Sequence, residues 1–313
     1  MDVPVYLFTG FLESGKTKLI GETLSRPDFF ERGQKTLVIQ FEEGEEELDP
    51  AEFASDDVAL EVIDTPRRMN PDKLASLVRA HGANIVIVEY NGMWLLSDFF
   101  QAMPQEWFVY QEMFVADAST VGVYNANMRN LVVDKLTSAD LVLFNRCDDD
   151  TDYDALHKLV RGVTRRPDII YENVNGQAAY DDIEDPLPFD VDAPVIEVGD
   201  GDYALFYRDM AENLENYDGK TVSFLGQISS MPNVPADGFV IGRPVMTCCV
   251  EDIAFSGLLC ENGAGKVAGT EWARVKGKIT VKDCELYGRR GPVMRLISAE
   301  PAEAPENPVS TFY

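Results

Sequence analysis

Pro4-Val5-Tyr6-Leu7-Phe8-Thr9-Gly10-Phe11-Leu12-Glu13-Ser14-Gly15-Lys16-Thr17-Lys18-Leu19-Ile20 decides how the first half of this chain is read. Pro4 to Phe8 is a continuous apolar run of the buried-strand kind, and Lys16 to Leu24 has helical spacing. Between them, Gly10 to Thr17 fits G-x-x-x-x-G-K-[ST] at every fixed position. The glycines permit a sharp turn that aims successive backbone N–H groups at one point. The helix N-terminus behind them adds its positive end. This is a cradle for phosphate, with Gly10, Glu13, Ser14, Gly15, Lys16, Thr17 and Lys18 as the expected binding residues. Lys16 is placed to reach the β- and γ-phosphates of a nucleoside triphosphate, and Thr17 to put its hydroxyl on Mg²⁺.

Outward from this loop, short β-branched runs alternate with helical patterns. Strands are predicted at Thr36–Gln40, Ile85–Val88, Met113–Ala116 and Leu141–Phe144, with a helix at Asp72–Ala80. Near-continuous apolar strands separated by helices imply a mostly parallel sheet covered on both faces, an α/β doubly wound architecture. The pattern changes after about residue 185, where Pro186, Pro188 and Pro194 punctuate an acidic connection. From Ala273 to Val281 the odd positions are apolar or Gly and the even ones charged or polar, so a strand with one buried face is predicted. Similar runs near 220–229, 239–250, 254–260 and 292–299 complete a small, mainly-β, OB-like barrel. The expected domains are therefore 1–185 and 195–300, with a Pro- and Glu-rich tail at 301–313.

A net charge of −27 argues against bulk binding to nucleic acid or anionic membrane. It suits a cationic partner, or solubility alone. No basic segment precedes the first apolar run, and no run of membrane-spanning length exists, so a cytoplasmic protein without a signal peptide or span is expected. The five cysteines are an odd number, and reduced thiols are expected. His81 and His157, the only histidines, lie among charged residues and are expected at the surface.

Two further sites belong beside the phosphate loop in such a sheet. Glu89 follows a strand at its carboxyl end, where an acidic residue would hold Mg²⁺ opposite Thr17, and Gly92 could offer its N–H to a γ-phosphate. Leu141–Phe144 runs into Asn145-Arg146-Cys147-Asp148. A carboxylate there can accept from the ring N–H and exocyclic amine of guanine, a donor pair adenine lacks. The stretch resembles the Asn-Lys-x-Asp signature of GTPases, with Arg146 in place of Lys. The plain alternative is a capped turn made by Asp148, Asp149 and Asp150.

Together, Gly10–Thr17, Gly44-x₄-Asp49, Glu89-x-x-Gly92 and Asn145-x-x-Asp148 resemble the CobW-type P-loop GTPases, relatives of the nickel-chaperone GTPases, over about residues 3–175. The resemblance implies GTP/GDP and Mg²⁺ as ligands, hydrolysis of GTP, and a first switch from Glu42 to Asp49 closing on metal and γ-phosphate. Asp49, Thr17 and Glu89 would be the Mg²⁺ ligands, and Lys16, Thr17 and Glu89 the catalytic group. Metal-handling members carry Cys-x-Cys-Cys before the third motif, whereas residues 50–88 hold no cysteine. Residues 195–300 are similar to soluble subunits associated with predicted permeases (YcgQ-like proteins), through Tyr217-Asp218-Gly219-Lys220, Gly242–Asp252 and Glu271–Gly277.

Cys248-Cys249, with Asp252 and Cys260, has two readings: ligands for Zn²⁺ or another transition metal, or packing groups, since adjacent strand residues face opposite ways. Three functions follow. The first is a GTPase switch whose β domain reports nucleotide state to a partner or metal. The second is a metal-delivery or regulatory subunit of a membrane permease, with GTP hydrolysis timing release; a metalloprotein client is the other partner expected. The third, an ATP-using kinase, is opposed by Asn145-x-x-Asp148.

Overall fold

The structure, a computed structural model, describes residues 2–312 apart from 32, 43, 230–233, 236 and 248–252. It divides into two compact units, Met1–Ile183 and Glu184–Tyr313. The first is built on an eight-stranded sheet. Its strands are β1 (Val3–Thr9), β2 (Thr36–Gln40), β3 (Val58–Val62), β4 (Ile85–Glu89), β5 (Trp107–Asp117), β6 (Leu141–Cys147), β7 (Asp168–Asn173) and β8 (Ala178–Tyr180). They lie in the order β3-β2-β4-β1-β5-β6-β7-β8, all parallel except β8 against β7.

Alternation along β1 shows that both faces are covered. Val3, Val5 and Leu7 pack with Leu74 and Leu77 of α2 (Pro71–His81) and with Phe99 of α3 (Leu96–Ala102). Phe8 packs instead with Ile20 and Leu24 of α1 (Lys16–Leu24). Helix α2 starts where Asn70 accepts from the Lys73 N–H ahead of Pro71, and it ends on Gly82 in the left-handed region. Helices α4 (Val121–Asn127), α5 (Arg129–Ser138) and α6 (Tyr153–Arg161) complete the unit. His157 departs from its expected surface position. It is buried on α6, and its Nδ1 lies 2.8 Å from Asp181. Because all but one of the strands run parallel, their carboxyl ends gather along one edge of the sheet.

The second unit has β9 (Ile196–Glu197), α7 (Tyr203–Glu212), β10 (Thr221–Ser229), β11 (Phe239–Val245), β12 (Ala254–Glu261), β13 (Trp272–Cys284) and β14 (Arg289–Ala302). The run β11-β12-β14-β13-β10 closes through a β10–β11 pairing, with β12 and β14 parallel and the other neighbours antiparallel. This is the five-stranded, Greek-key closure of an OB-like barrel. Ala273, Val275, Ile279 and Val281 face its core, as their period of two predicts. Tyr203, Phe206 and Met210 of α7, a helix the sequence reading does not contain, pack into the same core.

Residues 301–312, expected as a loose tail, are held. Ser310 N–H donates to the Pro244 carbonyl at 2.8 Å, and the Ser310 hydroxyl accepts from Ala204 N–H at 2.9 Å. The buried Arg243 guanidinium donates to the carbonyls of Asp200, Asn307 and Pro308. Three backbone carbonyls thus take the place of a counter-ion for a desolvated cation.

One buried acid in the first unit carries a testable consequence. Burial pushes Glu112 of β5 up to about 7, against an ordinary 4.5, and the hydrogen bond from Ser138 and the charge of Lys135 only partly oppose it. Between those values the folded chain holds a proton that the unfolded chain has released, so stability falls as pH rises through that window. Glu112→Gln is expected to remove this loss. Its stability margin over wild type should widen from pH 5.5 to pH 8, to at most about 3 kcal/mol. Urea midpoints at the two pH values would measure it, and an equal margin at both would contradict the assignment.

Candidate nucleotide site

The phosphate loop joins β1 to α1 at the gathered edge. Gly15, the residue before the helix, has φ of 93°, and a side chain there would run into Asn145. Of the three non-glycine residues with positive φ among those described, two are Glu13 and Arg146. Both are in this site, where strain is held by surrounding bonds.

Lys16 is 2% exposed and uses its ammonium on three partners. It donates to the carbonyls of Gly10 at 3.0 Å and Phe11 at 2.8 Å, and pairs with Glu42 at 2.5 Å. Thr17 donates from Oγ1 to Glu89 Oε1 at 2.6 Å, so the two hard oxygens expected around Mg²⁺ are side by side. The other oxygen of Glu89 accepts from Gln40 Nε2 at 2.7 Å. Gln40 enters the sequence analysis only as the end of a strand, not as a site residue. Its signal is register, since Gln40 stands directly opposite Glu89 on neighbouring strands. Burial raises Glu89 above the usual carboxylate range, and the bonds from Thr17 and Gln40 restrain that rise.

Gly92 lies against the loop, with its N–H 3.4 Å from Glu42 Oε2. A Cβ at Gly92 would fall 2.6 Å from the Gly10 carbonyl oxygen and 2.6 Å from Phe11 Cα. Only glycine allows this approach without moving backbone. The loop beyond Gly92 is tied to α5, where Asp134 accepts from Leu96 N–H at 3.0 Å and Lys135 donates to the Trp94 carbonyl at 2.9 Å.

Asn145 donates from Nδ2 to the Ser14 carbonyl at 2.7 Å, bridging β6 to the phosphate loop. Arg146 donates from one nitrogen to the Glu13 carbonyl at 2.9 Å and to Asp117 at 2.6 Å. Burial alone would raise Asp117, but bonds from Ser119 and Arg146 hold it below its ordinary value. Gly15, Lys18, Leu19, Asn145, Arg146 and Val174 line a shallow cleft beside the loop. Asp148 is exposed, and its Oδ1 accepts from Asp150 N–H and the Thr151 hydroxyl, both at 3.1 Å. The capped turn is therefore present. Among the described residues, Asp148 Oδ2 has no hydrogen bond.

Asp49 is not brought to the phosphate loop's cavity, whose acidic lining is Glu13, Glu42, Glu46 and Glu89. Its carboxylate caps a short 3-10 turn, accepting from Ala51 N–H at 2.9 Å. Cys248, Cys249 and Asp252 lie outside the described residues. Cys260 is buried in the barrel, which pushes its thiol up to about 12. Among the described residues no cluster of three or more His, Cys, Asp or Glu is placed to hold a metal ion. No helix among them is long and apolar enough to cross a membrane.

The arrangement fits a nucleotide. Ser14 Oγ and Asn145 Oδ1 are buried without a hydrogen-bond partner among the described residues, although such atoms are ordinarily satisfied. The backbone cradle, one buried ammonium and the Thr17–Glu89 pair suit a polyphosphate with a hard cation.

Comparison with curated proteins finds no match. Among solved structures, the chain is similar to hydrogenase maturation factor HypB from Archaeoglobus fulgidus, at 15% identity and TM-score 0.39, over 56% of this chain and 82% of that one. It is also similar to the Zn(II)-bound YjiA GTPase from E. coli, at 17% identity and TM-score 0.43, over 85% of this chain and 91% of that one. Residues 175–309 match the family described as DUF1980 C-terminal domain. Residues 4–170 match CobW/HypB/UreG, nucleotide-binding domain. That match spans more than half the chain and coincides with the loop, the Thr17–Glu89 pair and the Asn145 bridge, so the protein belongs to the CobW/HypB/UreG nucleotide-binding family.

Proposed function

We propose that this protein binds GTP with Mg²⁺ in the Gly10–Thr17 loop, hydrolyses it slowly on its own, and acts as a nucleotide switch in the cytoplasm. The observation that carries this reading is convergence. Lys16, Thr17, Glu89, Gly92 and Asn145 meet at one sheet edge, although they are scattered over the first half of the sequence. The loop's N–H groups and Lys16 bind the phosphates, while Thr17 and Glu89 would hold Mg²⁺. Bound there, the metal would neutralise charge on the phosphate oxygens. Asn145 fixes the loop against β6, and Arg146 braces Glu13 while its stem borders the cleft for the base.

No arginine lines the cavity at Lys16 among the described residues, which supports slow unaided turnover. Asp148 Oδ2 is the acceptor available for the guanine N–H, and the turn through Oδ1 fixes the carboxylate for it. The barrel of the second unit is the proposed reader of nucleotide state, with a cationic partner, a permease or a metalloprotein as client classes.

The test is phosphate release from GTP with Mg²⁺ and with EDTA, on wild type and Asp148→Ala. Release should require Mg²⁺, and the variant should lose at least about tenfold of its preference for GTP over ATP, from one to two guanine hydrogen bonds. Equal use of both nucleotides by wild type would sink the guanine assignment.

A further inference from the structure

The three donors of an ammonium limit what Lys16 can hold at once. Here two are donated to Gly10 O and Phe11 O, and Glu42 Oε1 lies against the ammonium as an ion pair at 2.5 Å. Glu42 does more than neutralise Lys16. Its second oxygen lies 3.4 Å from the Gly92 N–H, so one carboxylate spans Lys16 and Gly92. Lys16 is the donor expected to reach the β- and γ-phosphates, and the Gly92 N–H the one expected on the γ-phosphate. The carboxylate is itself 9% exposed and carries the same sign of charge as that phosphate.

The segment is latched in place. Glu13 Oε1 accepts from Glu45 N–H at 2.9 Å, and Phe41 is fixed through its N–H to the Glu89 carbonyl at 2.8 Å and its carbonyl to Asn91 at 3.3 Å. Glu42 therefore cannot share the seat with a γ-phosphate. One anion must leave, and the loop that carries Glu42 moves with it. A nucleoside diphosphate fills the N–H cradle and reaches Lys16 through its β-phosphate, but it leaves the Gly92 donor to Glu42.

We propose that Glu42 is a built-in occupant of the γ-phosphate seat, and that its expulsion is how this protein separates triphosphate from diphosphate. The proposal rests on the GTP-binding reading above. In the diphosphate state Glu42 stays on the Gly92 N–H. In the triphosphate state it is displaced, and the Glu45 N–H is released from its latch on Glu13. Competition between two anions for the same donors weakens triphosphate binding selectively, because a ligand shifts a two-state equilibrium only through its different affinity for the two states.

The experiment is calorimetric titration of GDP and of non-hydrolysed GTPγS, with Mg²⁺, into full-length wild type and Glu42→Gln. The amide keeps the shape and removes the charge. The GTPγS-to-GDP affinity ratio should rise at least tenfold in the variant. An unchanged ratio, or a fall for both nucleotides together, overturns the proposal while leaving GTP binding intact. Failure of wild type to bind either nucleotide overturns the reading beneath it as well.

Wild type alone gives a second measurement should the variant misfold. The Trp94 ring lies 5.9 Å from that of Phe41, the neighbour of Glu42. Tryptophan emission should change with GTPγS and stay near the apo value with GDP. The same response to both nucleotides would contradict displacement.

Discussion

Lys16→Ala is expected to abolish GTP binding, weakening Kd at least about a thousandfold. Two charge-assisted contacts to phosphate, each about 1.5–3 kcal/mol, are lost together, and about 4 kcal/mol corresponds to three decades. The ammonium is buried between the Gly10 and Phe11 carbonyls, and among the described residues no other cation lines that cavity. Its removal also strands the Glu42 carboxylate at low exposure, which lowers stability, so folding should be confirmed by circular dichroism beside the titration. A variant that folds and keeps GTP affinity within tenfold of wild type would contradict the role given to Lys16.

Gly92→Ala is expected to lower GTP turnover at least about a hundredfold while GDP still binds. The added Cβ would sit 2.6 Å from the Gly10 carbonyl oxygen and Phe11 Cα. Both are backbone of the phosphate loop and cannot rotate aside. The loop after β4 must therefore move away, and it is held at its far end by Asp134 and Lys135, so the shift concentrates at Gly92. A displacement of about 1 Å at the proposed γ-phosphate donor is enough for a loss of that size. The diphosphate relies on the N–H cradle and is affected less. Single-turnover hydrolysis together with GDP titration measures both arms, and a parallel loss in the two would instead mean collapse of the phosphate loop.

Much of this site was legible because it is local. Gly10 to Thr17 announces itself by fixed spacing, and Glu89 and Asn145 by ending apolar runs that a parallel sheet must bring to one edge. What was not legible depends on pairing. Gln40 supports Glu89 only because β2 lies beside β4 in register, and Glu42 reads as one member of an acidic run until the sheet order places it over Lys16. Asp49 was matched by spacing, yet its side chain serves a local turn, a common fate of Asp before a proline-led turn. Strand β3 carries little signal in the sequence, being a short, half-buried edge strand beside an acidic segment.

In the second unit the period of two located the barrel strands because one face is buried. The aromatic-rich α7 gave no comparable signal, since the sequence Tyr203-Ala204-Leu205-Phe206-Tyr207 is apolar on nearly every side. The Pro- and Glu-rich end misled in the other direction. Its composition is that of a tail, but the buried guanidinium of Arg243 needs acceptors, and the carbonyls of Asn307 and Pro308 provide them.

The measurement that bears most directly on the central claim is equilibrium titration of Mg·GTPγS against Mg·ATPγS into the intact protein. The account predicts one site per chain and at least about a hundredfold preference for the guanine nucleotide, the size of two hydrogen bonds to a fixed carboxylate. Equal or tighter binding of the adenine nucleotide, or no binding of either, would contradict it.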